Sequence, residues 1–567
     1  MSHDLVIRGG ILVDGTGTPG RLADVAVQAG RIVALGTVAD DGVETIDATG
    51  GRVVAPGFID LHTHYDVQLL WDPAATPSPL HGVTTVLGGN CGFTIAPLAE
   101  GDADYIRQMM AVVEGMPLAS LEAGPAWDWN GFDEWLDRLD GAIAVNAGFL
   151  VGHSTIRRAV MGDAAVTDEA DADQVEAMAG EVHRAIEAGA LGFSSSWGEA
   201  HRDGDGHLVP SLAAHRDELV ALAAAAGAHD GTTLEFIPCV GEIPEDRMAL
   251  MADMAAAAGR ALNWNLLGSL SPVEIYEQQL AASDVAADRG ATVVALALPD
   301  VMRLRMGPVL DALTTFAEVA AVPIDQRRRA VADPAIRARL RDEAERAGRG
   351  PLAALTDGSL VEIAESDHWG GRTLAEVAAA VGVDTVDVLI DVVLIDGLAL
   401  TIVLPTLVPS LGATDEGWAA RVAVWQDPRV RLGGSDAGAH ADMMCHANYP
   451  TVVLGEVVRD RGLLTLEEAV RMMSDEPARL YGLKDRGRLV VGAHADLVVF
   501  DPATVGSEPA RARHDLPANG LRLYAEARGM EHVIVGGTEI VRHGEVTGAC
   551  PGTVLRSGVD TETVVAP

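Results

Sequence analysis

Residues 55–66 read APGFIDLHTHYD. Pro56 and Gly57 punctuate the start of an apolar run, and the run ends in two histidines, His62 and His64, one residue apart. Alternate side chains of a strand share a face, so both imidazoles point the same way and can grip one metal ion. A bare His-x-His also describes two surface histidines. Here Asp60 and a hydrophobic strand lead into the pair, which selects ligation.

Upstream, LVIRGGILVDG (5–15), ADVAVQAGRIVALG (23–36) and VETIDATGGRVV (43–54) are β-branched runs broken by Gly and Asp-Gly. The same texture returns in RLVVGAHADLVVFDP (488–502) and HVIVGGTEIVRHGEV (532–546). Two β-rich segments at opposite ends of a chain can pair into one small β-sandwich domain, expected over 1–55 plus 485–567. Between them strand-like runs alternate with Ala-rich helical ones. AIAVNAGFL (142–150) precedes DADQVEAMAGEVHRAIEAG (171–189), and ALGFSS (190–195) precedes AAHRDELVALAAAAGAH (213–229). That alternation predicts an α/β fold, a (β/α)₈ barrel over 56–484. An Arg- and Glu-rich segment at about 301–375 interrupts it and reads as a helical insert. Thr465 opens a late helix, with Glu468 placed to close a capping box.

The 567 residues carry a formal net charge of -41, which argues against nucleic acid or an anionic membrane surface as a partner. Lys484 is the single lysine. The 4 cysteines are too few for a disulfide framework, and MSHDLVIRGG has no signal-peptide pattern, so a cytoplasmic protein is expected. The uncharged stretch 397–414 contains Pro405 and Pro409 and reads as a buried strand and loop rather than a membrane span.

In RLGGSDAGAH (431–440) Asp436 follows an apolar, glycine-rich strand. Catalytic groups of a barrel sit at the C-terminal strand ends, where a carboxylate can bind metal and accept a proton from attacking water; Ser-Asp is also an ordinary helix cap.

These segments, together with GVTTVLGGNCGFTIAPL (82–98), VGHSTIRRAVMG (151–162) and GEVTGACPGTVLR (544–556), resemble the amidohydrolase superfamily. Within it they resemble the D-aminoacylase branch of zinc-dependent N-acyl-D-amino-acid deacylases, over nearly the whole chain. The resemblance implies that Cys91 of the NCG motif supplies a thiolate ligand where relatives use a carboxylated lysine. The lack of any barrel lysine agrees with this. It also implies two further histidine ligands on the fifth and sixth strands, which this sequence lacks. GTTLEFIPC (231–239) and RALNWNLLGS (260–269) offer Glu235 and Asn265 instead. Zn²⁺, as one or two ions, is thus expected on His62, His64 and Asp436, with Cys91 or Glu235 added. Glu235 reads equally as a hydrogen bonder to a ligand, and Asn265 as a polar lining residue. His153 and Arg157 match positions the branch keeps near the site and read as substrate-binding or as positioning the third strand. Arg303 and Arg305 are candidate anion binders, and His201, His207, His440 and His446 sit in loops that can overhang the mouth.

The reaction expected is hydrolysis of a non-peptide amide C–N bond in a small molecule, an acylated amino acid first. Asp436 serves as the general base, and a homo-oligomer is compatible. The alternatives are a cyclic-amide hydrolase of the dihydroorotase and hydantoinase kind, and a non-catalytic barrel that has lost part of its metal site.

Overall fold

The computed structural model describes residues 3–239, 241–267, 273–301 and 414–564, with the shorter stretches 303–305, 315, 318–319, 329–346, 360–363, 372–385, 387–388 and 401–403 between them. Strands from both ends of the chain form one nine-stranded sheet. Its seam is the antiparallel pairing of Val53–Pro56 with Leu497–Phe500, in which Leu497 faces Pro56 and Phe500 faces Val53. Both seam strands are buried on both faces. Val54, Leu497 and Val499 join a cluster with Leu5, Val25 and Ile534. Val53, Ala55, Val498 and Phe500 point the other way, into the largest apolar cluster of the molecule. Period-2 alternation thus welds the terminal sheet to the rest of the chain, each large apolar side chain contributing roughly 1.5–3 kcal/mol.

The site depends on a run of parallel strands: β1 (Phe58–Asp60), β2 (Val83–Gly88), β3 (Asn146–Phe149, resumed at Val151–Gly152), β4 (Gly192–Ser196), β5 (Thr233–Ile237), β6 (Leu262–Leu267), β7 (Val293–Ala297) and β8 (Val430–Leu432). Each pairs in parallel with the next. A parallel bridge between Thr63 and Ala437 joins the segment after β1 to the segment after β8. Ala-rich helices such as Ala172–Ala188, Arg216–Gly227 and Glu245–Ala258 connect the strands. The first of these starts with a capping box of Asp171 and Gln174.

Thr465 and Glu468 form the capping box expected of them. The late helix, however, breaks at Ser474 into Leu466–Met473 and Asp475–Leu480, and the Ser474 hydroxyl donates to the Val470 carbonyl across the break. Between β7 and β8, where a helical insert is expected at about 301–375, the described residues hold the helices Pro334–Arg346 and Leu374–Val381 and also a four-stranded antiparallel sheet that reaches Val403. Its strands Arg303–Arg305, Leu360–Ile363 and Thr401–Val403 are short, and none shows a clear period-2 pattern to the eye. Most of 397–414 lies outside the described residues. Among the described residues, no helix is long and apolar enough to cross a membrane.

Candidate metal centre

Beyond β1 the alternation continues. Ile59 and Leu61 pack in one apolar cluster, while His62 and His64 are fully buried with ring centroids 5.2 Å apart. The loop after β2 brings the third group. Cys91 Sγ lies 3.2 Å from His62 Nε2 and 3.8 Å from His64 Nε2. The ligand atoms of His62, His64 and Cys91 all lie within 4.8 Å of one another. Asp436, after β8, places Oδ1 3.1 Å from His64 Nε2 and 3.5 Å from His62 Nε2.

Both non-histidine groups sit on left-handed backbone, Cys91 at φ 58° and Asp436 at φ 58°. That conformation is costly for a side-chain-bearing residue and persists where surroundings enforce it. Around Cys91 the enforcement is visible. Gly89, at φ 71°, passes so close to Leu150 that a Cβ would lie 2.1 Å from its carbonyl oxygen. The Asn90 amide donates to the Leu87 and Thr63 carbonyls, the Gly92 N–H to Ser194 Oγ, and the Cys91 N–H to Glu235 Oε2 at 2.8 Å. Around Asp436, its N–H donates to the His62 carbonyl and the His64 N–H to the Ala437 carbonyl. At Gly438 a Cβ would come within 2.6 Å of the His64 carbonyl oxygen.

The enclosure is rich in buried acidic groups. Burial pushes Glu235 up to about 8, Glu114 to about 7 and Asp66 to about 6, with His64 pulling each of them down. Burial raises the Cys91 thiol well above its usual value, and Glu235 and Glu114 raise it further. His64 loses by burial, but Glu114 and Asp436 outweigh that and lift it to about 9. His62 is lowered to about 3 by burial. For Asp436 burial works upward, yet the His64 hydrogen bond and the charges of His64 and His62 hold it below the ordinary carboxylate range. A buried set of carboxyls and a thiol around two imidazoles fits a cation, which would supply the charge that burial denies them. Glu235 Oε1 and Asn265 Oδ1, both buried, have no hydrogen-bond partner among the described residues.

The structure therefore brings His62, His64, Cys91 and Asp436 together. Asn265 lines the same space, with its amide nitrogen 3.4 Å from His62 Nε2. Glu235 accepts the Cys91 N–H through Oε2 and keeps a buried Oε1 without a hydrogen-bond partner among the described residues. His201 bonds Ser196 Oγ, stacks edge-on against Phe93 and feels the charges of His440, Asp436 and His64. His207 is exposed beside Asp203. The side chains of Arg303 and Arg305 lie outside the described residues.

For His153 and Arg157 the contacts favour the reading in which they position the third strand. Both are fully buried, and their polar atoms are spent on protein. His153 bonds Ser195 Oγ and Glu218 Oε1, each at 2.8 Å. Arg157 donates to Glu218 Oε1 at 2.9 Å and to the carbonyls of Ala165, Pro210 and Asp168. The pair ties the helix after β3 to β4 and to the helix Arg216–Gly227. Glu218→Ala, which strands Arg157 in the interior, is expected to cost roughly 3–5 kcal/mol in denaturant unfolding. A loss no larger than that of a surface ion pair would mean that the carbonyls alone carry the guanidinium.

Sequence reasoning missed Glu114 and Glu218. Glu114 follows the helix α1 (Ala103–Val113), with its Oε1 3.4 Å from His64 Nδ1. The available signal was an acid placed against the negative end of a helix dipole in the apolar context MMAVVEGMP (109–117).

The amidohydrolase family model matches residues 44–541. A D-aminoacylase of Alcaligenes xylosoxydans xylosoxydans is 31% identical over 559 residues, covering 97% of each chain. The N-acyl-D-aspartate deacylase of that organism is 32% identical, covering 98% of this chain and 95% of the relative. The solved structure of N-acyl-D-glutamate deacylase from Bordetella bronchiseptica, complexed with zinc and a phosphonate inhibitor, superposes with a TM-score of 0.62 at 26% identity, over 98% of this chain and 100% of that one. The chain belongs to the amidohydrolase family, hydrolases that act on C–N bonds other than peptide bonds. Within it the chain falls in the D-aminoacylase branch.

Proposed function

We propose that this protein is a divalent-metal deacylase of N-acyl-D-amino acids, with zinc as the metal and His62, His64 and Cys91 as its ligands. The observation that carries the reading is the convergence of two imidazoles, a thiol and the Asp436 carboxylate in one buried enclosure. Imidazole and thiolate donors suit zinc better than the harder cations. When bound there, a zinc ion polarises an acyl carbonyl and acidifies water.

The chain's own part follows from the positions of its groups. Asp436 accepts a proton from the attacking water and passes it to the leaving nitrogen, so that amide and water become carboxylate and amine. The left-handed turn at Asp436 and the backbone bonds to His62 and His64 hold its carboxylate against both rings. Asn265 offers its amide to the same space, and Glu235 holds the Cys91 loop. A small cavity beside Asp436 is lined by Tyr65, Gln68, Thr76, His446 and Arg522.

The proposal includes the architecture. The parallel run β1–β8 and the Thr63–Ala437 bridge support a closed (β/α)₈ barrel over 56–484, with the site at the C-terminal strand ends. The seam of Val53–Pro56 with Leu497–Phe500 supports a second domain, a β-sandwich, made of 1–55 and 485–567. The free cysteines Cys91, Cys239, Cys445 and Cys550 support a reducing, cytoplasmic setting.

The test is a panel of N-acyl-D- and N-acyl-L-amino acids, with amine release followed on chelator-stripped and zinc-restored protein. Hydrolysis that favours D substrates and returns with zinc is expected. A zinc-loaded protein inert towards the whole panel, but active on cyclic amides or on nothing, would overturn the reading.

A further inference from the structure

We propose that Glu114 is a positioning residue of the metal centre: its carboxylate holds the Nδ1–H of His64 so that Nε2 presents a lone pair to the metal. The inference rests on the reading of His64 as a ligand. The two nitrogens of the His64 ring face different neighbours. Nε2 looks into the cluster, 3.8 Å from Cys91 Sγ and 3.1 Å from Asp436 Oδ1. Nδ1 is 3.4 Å from Glu114 Oε1. This is a charge contact without the alignment of a hydrogen bond, and Nδ1 has no hydrogen-bond partner among the described residues. A proton on Nδ1 is therefore held by Glu114 or by nothing. A neutral imidazole carries one N–H, and a ligand nitrogen must be the bare one, so the carboxylate at Nδ1 selects the ligating tautomer. The two rings differ in this respect, since His62 Nδ1 has no acid at ion-pair distance and no hydrogen-bond partner among the described residues.

The placement of Glu114 carries a second tie. The helix α1 buries Ile106, Met109, Met110 and Val113 and ends in Glu114, whose N–H donates to the Met110 carbonyl. The Glu114 carbonyl accepts the His440 N–H at 2.5 Å, on the loop that carries Asp436. Gly115, at φ 56°, lets the two chains meet, since a Cβ there would lie 3.2 Å from His440 Cα. One residue thus grips the segment after β1 with its side chain and the segment after β8 with its backbone. An acid at a helix C-terminus opposes the dipole, and the nearby imidazole offsets that cost.

The test measures zinc affinity by chelator competition for the parent, Glu114→Gln and Glu114→Ala, with thermal unfolding of each metal-free protein alongside. Glu114→Ala is expected to weaken zinc binding roughly 10–100-fold, as loss of a group that orients a metal ligand does. Glu114→Gln keeps the shape and an accepting oxygen but not the charge, so it should fall between parent and alanine. The cobalt-loaded proteins give an independent signature: the ligand-field bands of Glu114→Ala should shift from those of the parent. A purely structural role would lower metal-free stability and leave affinity and spectrum alone. Parent-like zinc affinity in Glu114→Gln together with Glu114→Ala overturns the inference while leaving the metal site standing. If the parent itself binds no zinc, the metal-site reading falls, and the role of Glu114 falls with it. Should the alanine variant not fold, the glutamine variant decides by the same measure.

Discussion

Replacing His62 and His64 together by alanine is expected to leave a folded protein that retains no zinc after dialysis and shows no turnover above background. The two rings are buried side by side, and both lie within reach of Cys91 and Asp436, so their loss removes two of the three clustered donors at once. Folding does not depend on them in the same way. The strand that leads to them is held by Phe58, Ile59 and Leu61 in apolar clusters and by the pairing of β1 with β2. Circular dichroism and metal analysis on one sample separate the two effects. Retention of zinc at the parental stoichiometry in the folded double variant would move the metal elsewhere. Full activity in the metal-free variant would end the metal-dependent account.

Asp436→Asn is expected to lower kcat by roughly 10²–10⁴-fold, the usual contribution of a general acid–base group. The substitution is a clean one on structural grounds. Asp436 sits at φ 58°, and asparagine is among the residues that tolerate that region best, so the turn is preserved. The amide keeps the size of the carboxylate but cannot accept the proton. Zinc content measured beside kcat separates the loss of a base from the loss of a ligand. A variant that turns over at nearly the parental rate would assign the proton to another group, with Glu235 and Glu114 the buried carboxyls to try next.

What the sequence disclosed follows from the range of each signal. His62 and His64 were legible because a two-residue period at the end of an apolar strand is local information. Asp436 stood out as an acid after an apolar, glycine-rich strand, with the family resemblance favouring it over an ordinary helix cap. The parallel run was legible because helix and strand patterns alternate over long stretches. Cys91 carries no such period. It sits in a left-handed turn fixed by Glu235, 144 residues away, and only the resemblance to a family marked it. Arg157 left two readings open because a cation near a catalytic strand also suggests an anionic substrate; its partner, Glu218, lies 61 residues further on and is an unremarked acid of an Ala-rich helix. Glu114 stayed hidden because α1 belongs to an excursion between β2 and β3 that no alternation predicts. The antiparallel strands before β8 were missed for want of length, since strands such as Arg303–Arg305 are too short to show a period.

The central claim is that a thiolate and two imidazoles of this chain share one zinc ion. X-ray absorption at the zinc edge of the zinc-loaded protein tests it most directly. The account predicts a sulfur scatterer at about 2.3 Å beside nitrogen or oxygen scatterers at about 2.0–2.1 Å, with the sulfur shell lost in Cys91→Ser. A spectrum of nitrogen and oxygen alone in the parent, or a sulfur shell that survives Cys91→Ser, would contradict it.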